Sequence, residues 1–226
     1  MMERPILFSA PMVRALLDGT KTQTRRLVKP QPEAVHDGEP YWFVGGYRAW
    51  TYRSTSDVLR KGGKDLPCPY GQAGDRLWVR ETWARDDEDG ELMYRADLGR
   101  DMNADAWEQG RIEGVPRYRW KPSIHMPRAA SRIALDVTGV RVERLHQISR
   151  GDAMAEGCPF PNLQDGESPV RWYEHLWRAI NGPDSWGADP WVWVVEFRKA
   201  HNVKVTGLPQ PADGSDTNNA DCGRSG

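Results

Sequence analysis

Four stretches of the chain are predicted strands, at residues 76–82, 92–96, 132–137 and 191–197, and in the first and third of them hydrophobic and polar residues alternate. A period of two predicts β-strands, because successive side chains of a strand point to opposite faces. In the first stretch Leu77, Val79 and Glu81 share one face, so that Glu81 follows the apolar residues inward. We expect residues 92–96 to pair with this strand through a turn around Gly90, and residues 191–197 to close the sheet.

Apolar residues three and four positions apart predict three helices, each preceded by a serine that can cap it. These serines are Ser9, Ser149 and Ser168, and the first two helices are expected to end at Gly19 and Gly157. The third helix is expected to place five side chains in the core: Val170, Tyr173, Leu176, Trp177 and Ile180. Together with the strands, these helices indicate an α+β fold.

Two stretches interrupt this pattern. Residues from about 29 to 70 are rich in proline and glycine, which break regular structure, and also in aromatic residues, so we interpret them as an ordered flap. Residues from about 97 to 120 are acidic and then basic, and a short surface helix is expected around Trp107. Residues 199–226 are polar and are expected to form a disordered tail. Residues 1–198 are therefore predicted to form a single domain with two insertions.

Composition narrows the classes of function. A chain of 226 residues with 38% hydrophobic residues can bury one good core. The formal net charge of −1 excludes a protein that coats nucleic acid by bulk electrostatics, so any nucleic-acid contact must come from a local basic patch. The three cysteines, Cys68, Cys158 and Cys222, lack the spacing of a metal site or a disulfide scaffold, which favours the reducing cytoplasm. No membrane span, metal or cofactor is expected.

The polar string G-T-K-T-Q-T-R-R at residues 19–26 carries the main candidate chemistry. Lys21 can act as a base and Thr24 as a nucleophile, provided that the pKa of the Lys21 amine falls by about three units. Arg25 and Arg26 would lower that pKa by like-charge repulsion, whereas the carboxyl end of the preceding helix would raise it. We expect this string to lie on a loop after the first helix.

Three motifs give the chain a resemblance to a known family: L-L-D-G-T-K-T-Q-T-R-R at residues 16–26, G-D-R-L-W-V-R-E-T-W at 74–83 and W-V-W-V-V-E-F at 191–197. In this order and spacing they resemble an ASCH domain of the PUA-like superfamily. The loop W-K-P-S-I-H-M-P-R-A-A-S-R at residues 120–132 is similar to that of the longer members encoded by phages and prophages. The resemblance covers residues 4–198. It implies a small β-barrel flanked by short helices, and a cleft that handles RNA or modified nucleosides.

The resemblance also implies catalytic roles. Small bacterial ASCH-domain amidohydrolases remove the acetyl group of acetylcytidine with a lysine, a threonine three residues later and a glutamate on a helix. Lys21, Thr24 and Glu156 match these positions. Lys21 would take the proton of Thr24, Thr24 would attack the amide carbonyl, and Glu156 would handle protons or hydrogen-bond the leaving amine. Backbone amides of residues 21–24 could hold the oxyanion.

Glu81 is a rival carboxylate, since an inward-pointing glutamate either has a raised pKa or forms an ion pair with Arg25 or Arg26. Its neighbours Arg80 and Trp83 could contact a phosphate and a base. The loop at residues 120–132 offers a further contact surface for phosphates and bases. The predicted substrate-binding residues are Arg25, Arg26, Arg80, Glu81, Trp83, Ser123, His125, Arg128 and Arg132.

Three hypotheses therefore remain open. The first is an amidohydrolase that acts on an acylated, acetylcytidine-like nucleoside or nucleotide. The second is a module that binds RNA or a modified nucleotide without breaking a bond. The third is a ribonuclease in which Lys21, Arg26 and His125 act as general acid and charge stabilisers.

Overall fold

The computed structural model describes residues 1–31, 68–86, 90–98, 119–159, 161 and 167–200 in full. Between residues 32 and 67 it describes the backbone of five short strands. In chain order the elements are β1 (Glu3–Leu7), α1 (Ala10–Leu17), β2 (Gln23–Leu27), β3 (Ala34–His36), β4 (Glu39–Val44), β5 (Tyr47–Ala49), β6 (Leu59–Lys61), β7 (Lys64–Leu66), β8 (Arg76–Arg80), β9 (Trp83–Arg85), β10 (Leu92–Tyr94), β11 (Ala134–Arg144), α2 (Arg150–Ala155), α3 (Pro169–Asn181) and β12 (Trp191–Lys199).

The fold is α+β, and its largest sheet has five strands in the order β1-β8-β11-β12-β2. β1 runs parallel to β8, and the other neighbours are antiparallel. β1 and β2 are therefore the edges of this sheet, and the pairing of the described strands does not confirm the expected barrel. A side chain spans the two edges, since Arg26 donates a hydrogen bond from Nη2 to the backbone oxygen of Leu7 over 2.6 Å.

Three strand predictions need correction. The strand expected at residues 92–96 is β10, and it pairs with β9 rather than with β8, because β1 and β11 already occupy both sides of β8. The strand expected at residues 132–137 is β11, which continues past a bulge between Val137 and Gly139. The last predicted strand is β12, which lies between β11 and β2 instead of closing the sheet.

The caps of the second and third helices follow the sequence prediction. The Ser149 hydroxyl accepts the backbone N–H of Asp152 in a capping box, and the Ser168 hydroxyl accepts the N–H of Arg171. Ser9 precedes α1 as predicted, but its hydroxyl makes no capping hydrogen bond. Its backbone oxygen accepts the N–H of Val13 instead. These local signals therefore place the helix starts, even where the side chain does not bond.

Two hydrophobic clusters flank the sheet. One packs α1 against the sheet through Val13 and Leu16. The other packs α2 and α3 against the other face of β12, with Tyr173 and Trp177 buried. Ile180 was predicted to lie in the core, but it is 55% exposed because it lies near the end of α3, beyond the contact with the sheet. Among the described helices, none combines the length and the apolar character needed to cross a bilayer.

Most of the two insertions and the tail lies outside the residues described in full. In the first insertion, the expectation of broken regular structure is wrong for the backbone, which forms the short hairpins β3-β4-β5 and β6-β7. The aromatic side chains of the expected flap lie outside the described residues, as do the helix expected around Trp107 and the tail from residue 201. Lys199 belongs to β12, and Ala200 after it is buried.

Candidate functional site

The predicted nucleophile and its two arginines lie on a strand and not on a loop. Thr24, Arg25 and Arg26 belong to β2, where they face Val195, Val194 and Trp193 of β12. The loop prediction is wrong because the turn after α1 is completed before residue 21, and residues 23–27 extend the sheet. Since side chains alternate along a strand, Thr24 and Arg26 lie on one face of β2 and Arg25 lies on the other.

Lys21 is fixed just before β2 by contacts with two helices. Its backbone N–H donates to the Ala15 oxygen of α1 over 3.0 Å, and the residue forms an isolated β-bridge with Glu156 at the end of α2. Gly157 has a φ of +96°, and a Cβ there would lie 2.9 Å from the Cβ of Ala15 and 3.3 Å from the Cβ of Lys21. A glycine is thus needed at residue 157 to let α2 approach Lys21 this closely.

Lys21 and Glu156 form a buried ion pair. The Lys21 Nζ donates to Glu156 Oε2 over 2.7 Å and to the Glu156 backbone oxygen over 2.8 Å. The two side chains are 0% and 2% exposed. Burial lowers the pKa of the Lys21 amine, more than the charge and hydrogen bond of Glu156 raise it, and the charges of Arg26 and Arg25 lower it further. The sequence alone left the direction of this pKa shift open, and the group that opposes the lowering is Glu156.

Arg25 extends this pair into a network on the other face of β2. Its guanidinium contacts Glu156 Oε1 at 3.4 Å and Asp152 Oδ2 at 3.5 Å, and it also donates two hydrogen bonds to Glu143. Arg141 bonds the same two outer carboxylates, Glu143 and Asp152, each over 3.0 Å. Three carboxylates are therefore shared among Lys21, Arg25 and Arg141.

Asp152 connects the network to the cap of α2. Burial alone would raise the pKa of Asp152, but hydrogen bonds from the Ser149 hydroxyl and amide and from Gln23, with the charge of Arg25, hold this pKa well below its usual range. The carboxyl is thus ionised throughout the neutral range. It fixes α2, and with α2 the position of Glu156, against β2.

A cleft of about 300 Å³ runs along the edge of β2. This volume suits a small ligand such as a nucleoside. Both faces of β2 contribute to the wall of the cleft. α3 supplies aromatic and apolar side chains on one side, and Met12 of α1 with Pro69 and Tyr70 supplies the other. The lining residues are Met12, Thr24, Arg25, Arg26, Leu27, Lys29, Pro69, Tyr70, Glu156, Tyr173, Leu176, Trp177, Ile180, Asn181 and Trp193.

The backbone amides expected to hold an oxyanion are already partly engaged. The N–H of Lys21 donates to Ala15 over 3.0 Å, and the N–H of Thr22 donates to Ala155 over 2.8 Å. These two amides therefore serve to join the start of β2 to α1 and α2. The positive side chains that line the cleft together with Thr24 are Arg25, Arg26 and Lys29.

Glu81 lies in a different cluster. Its two carboxylate oxygens accept hydrogen bonds from Arg132 over 2.9 and 3.0 Å, so the expected ion pair with Arg25 or Arg26 is wrong. Arg132 also donates to Asp97 over 2.7 Å and lies 3.9 Å from the ring centre of Tyr94. Burial raises the pKa of Glu81, more than Arg132 lowers it.

The remaining predicted binding residues are not among those that line the cleft. Arg80 stacks on Trp78 with 4.7 Å between guanidinium and ring centre, and the buried Trp83 has the Lys121 amine 4.8 Å from its ring centre. Arg128 pairs with Glu3 over 3.0 Å. Ser123 and His125 lie in a short 3₁₀ turn, where His125 is exposed. The structure thus places Thr24, Arg25, Arg26 and Glu156 in the lining of the cleft, while Lys21 is bonded to Glu156 but is not itself a lining residue. It places Arg80, Glu81, Trp83, Ser123, His125, Arg128 and Arg132 around β8 and the turns before β11.

Several residues of the site were missed by sequence reasoning. Glu143 and Arg141 lie on β11 and reach Arg25 and Asp152 only because β11, β12 and β2 are neighbours in the sheet. No local pattern marks them. Tyr173 was assigned to the core, and it is buried there, but it also lines the cleft. Burial raises the pKa of Tyr173 well above its usual value, so its hydroxyl stays neutral.

Among the side chains that the structure describes, no group of three or more histidines, cysteines, aspartates or glutamates could hold a metal ion. Cys68 and Cys158 are buried, and Cys222 lies outside the described residues. A comparison with protein-family models, with curated proteins and with solved structures gave no match to this chain. A function for the candidate site therefore has to follow from the geometry of its residues.

Proposed function

We propose that this protein is an amidohydrolase of ASCH type, with a PUA-like fold, that removes an acyl group from an acetylcytidine-like nucleoside or nucleotide. The observation that carries the proposal is the buried ion pair of Lys21 and Glu156, in which Glu156 lines a cleft together with Thr24. A lysine amine can act as a base only after it loses a proton. Burial that lowers the pKa of Lys21, together with a carboxylate at 2.7 Å that can accept this proton, supports such a role.

The proposed reaction has two steps. Glu156 takes a proton from Lys21, and the neutral amine accepts the hydroxyl proton of Thr24 while Oγ1 forms a bond to the acyl carbon. The carbon–nitrogen bond then breaks, and the leaving exocyclic amine receives the proton from Lys21, which leaves an acyl ester on Thr24. In the second step a water molecule, deprotonated by the same amine, attacks this ester. The bond between the acyl carbon and Oγ1 breaks, Lys21 returns the proton to Oγ1, the carboxylic acid leaves, and Glu156 returns its own proton to Lys21.

Arg25 and the aromatic residues of α3 have supporting roles in this proposal. Arg25 contacts Glu156 at 3.4 Å and helps to hold this carboxylate in position. Tyr173 and Trp177 present ring surfaces on which a base can stack. The ribonuclease hypothesis receives less support, since His125 is an exposed turn residue outside the lining of the cleft and Lys21 is engaged by Glu156.

Substitutions of Thr24 test the proposal. We expect Thr24→Val to abolish release of acetate from acetylcytidine, because valine keeps the shape of threonine and removes its oxygen, and Thr24→Ser to retain turnover. Thr22→Val is the matched control, because Thr22 is exposed and lies in the same string of residues. Deacylation is followed by mass spectrometry. After rapid quenching, a peptide that contains Thr24 should carry one acetyl group.

Lys21→Met gives the second arm of the same experiment, with Lys199→Met at the exposed end of β12 as its control. We expect the Lys21 variant to lose turnover by roughly 10²–10⁴-fold, the usual contribution of a general base. Equal turnover of Thr24→Val and the unsubstituted protein would contradict the proposal. If the folded protein deacylates no acylated nucleoside but still binds cytidine, the second hypothesis, a binding module, takes its place.

A further inference from the structure

Three cationic side chains line the cleft, and they differ in how their charges are balanced. Arg25 has no solvent exposure and lies within ion-pair distance of Glu143, Asp152 and Glu156. Its charge is therefore neutralised by the protein. The other two cations of the lining are Arg26 and Lys29.

Arg26 is held in place without a carboxylate. Its guanidinium lies 5.2 Å from the ring centre of Phe8 and 6.0 Å from that of Tyr70, and its Nη2 donates to the Leu7 oxygen. Its Nε is buried and has no hydrogen-bond partner. Within the part of the chain that the structure describes, no acidic side chain comes within ion-pair distance of it. Arg26 is thus a positioned cation with unused hydrogen-bonding capacity.

Lys29 follows β2 by two residues and lines the same cleft, where it is exposed. Among the described residues, it too has no carboxylate at ion-pair distance. Trp177 in the wall of the cleft is 3% exposed, and its indole nitrogen, like Nε of Arg26, is buried without a hydrogen-bond partner. Buried donors without an acceptor are uncommon in proteins, since each loses its hydrogen bonds to water without replacing them. The lining therefore offers more donors and positive charge than its own carboxylates match.

We infer that the ligand of this cleft carries a phosphate group, bound by Arg26 and Lys29, and that the substrate is an acylated nucleotide rather than the free nucleoside. This inference rests on the proposed function for the acyl group and on Arg26 and Lys29 for the phosphate. A phosphate offers the acceptor oxygens and negative charge that a guanidinium and an ammonium bind by charge-assisted hydrogen bonds. The phosphate lies on the side of the cleft formed by the end of β2, and Glu156 remains available for the proton transfers.

Binding of cytidine and of cytidine monophosphate separates this inference from the proposed function, because neither compound carries an acyl group. We expect the phosphate to strengthen binding by about tenfold at low salt in calorimetric titrations, as one or two charge-assisted bonds allow. Lys29→Gln and Arg26→Gln should each remove most of this gain and leave the affinity for cytidine less affected. Lys199→Gln, a change of equal charge on an exposed lysine outside the cleft, should leave the gain intact.

Equal affinities for the two compounds would overturn the inference, and so would a phosphate gain that persists in both cleft variants. A gain seen only with a short oligocytidylate would overturn it as well, because the ligand would then be an RNA chain. The same titrations with Thr24→Val keep the two proposals apart. Thr24→Val should keep the phosphate gain although it loses deacylation. In the unsubstituted protein, a phosphate gain without deacylase activity contradicts the amidohydrolase proposal alone, whereas deacylation without a phosphate gain contradicts the phosphate site alone.

Discussion

Glu156 and Glu81 are both 2% exposed and both contact an arginine, yet their surroundings differ. Glu81 gives both carboxylate oxygens to the fork of Arg132 at 2.9 and 3.0 Å. Glu156 divides its oxygens between two cations, with Oε2 at 2.7 Å from Lys21 and Oε1 at 3.4 Å from Arg25. Glu156 also lines the cleft, and Glu81 is not among its lining residues.

The difference separates a carboxylate that holds structure from one that can move a proton. A bidentate pair with arginine is rigid, and arginine does not release its proton at any ordinary pH. A lysine whose pKa is lowered by burial can pass its proton to the carboxylate beside it. Burial of a glutamate is therefore a poor guide to function, and the identity of its cationic partner is a better one.

The largest expected effect comes from exchanging each glutamate for glutamine. We expect Glu156→Gln to lower kcat/KM for deacylation by roughly 10²–10⁴-fold, because Lys21 then lacks a group to accept its proton. Glu81→Gln should leave kcat/KM nearly unchanged and change the free energy of unfolding little, since burial already disfavours the charge of Glu81 and Arg132 keeps its ion pair with Asp97. Initial rates and urea unfolding of both variants check this. Loss of turnover in the Glu81 variant alone would reverse the assignment of the two carboxylates.

An intermediate effect is expected at Gly157. Comparing an alanine variant there with one at another glycine of positive φ distinguishes displacement of Lys21 from backbone strain. Gly157→Ala places a Cβ 2.9 Å from the Cβ of Ala15 and 3.3 Å from that of Lys21 at a φ of +96°. Gly182→Ala is the matched control, because φ is +102° there and no atom lies within 4 Å of the added Cβ. Both variants should lose about 1–2 kcal/mol of stability through the positive φ.

The contact with Lys21 should make a further difference between these glycine variants. We expect only Gly157→Ala to lose turnover when both proteins are assayed fully folded, because only that methyl group displaces the end of α2 from Lys21. Equal activity of the two variants would show that the spacing between residues 157 and 21 does not matter for the reaction.

The smallest expected effects concern pH, and they have opposite signs at the two sites. The pKa of Asp152 beside Glu156 is lowered below 3.8, so its contribution to stability is present above this pH and is lost as the pH falls below it. The pKa of Glu81 is raised above 4.5, so the protein gains stability as the pH falls through the raised pKa toward 4.5. Urea unfolding between about pH 7 and about pH 3 measures both.

Asp152→Asn and Glu81→Gln identify the two contributions in these unfolding curves. The difference between the unsubstituted protein and Asp152→Asn should shrink below about pH 4, where the unfolded carboxyl begins to take up protons. The free energy of unfolding of the unsubstituted protein, relative to that of Glu81→Gln, should rise as the pH falls through the raised pKa of Glu81. Parallel curves for both variants across this range would contradict the stated directions of the two pKa values.

The sequence predicted local features better than it predicted long-range ones. The starts of α2 and α3 follow from capping serines within three residues of the bonds that they make. The strand β2 was not predicted, because the polar string from Gln23 to Arg26 lacks the alternation of a half-buried strand. It is a strand because β12 supplies a partner more than 160 residues later in the chain.

The same limit applies to the candidate site. Arg25 meets Glu143 across 118 residues of sequence, and Glu81 meets Arg132 across 51. Charge pairs of this kind depend on which strands become neighbours, and the spacing of charged residues along the chain does not indicate it. The barrel implied by the family resemblance also depends on long-range strand pairing, and it is not confirmed. The described sheet has β1 and β2 as its edges, and a hydrogen bond from Arg26 to the backbone oxygen of Leu7 connects them.

The ion pair of Lys21 and Glu156 also has a consequence for the evolution of this domain. Taking two charges out of water costs several kcal/mol for each ion, and their mutual attraction offsets this only in part, so an apolar pair of similar volume commonly joins two elements as well or better. The junction of β2 and α2 is therefore less stable than packing alone would permit. Mutational drift that favours stability would replace the pair, and its persistence in a lineage would record selection for what the charges do.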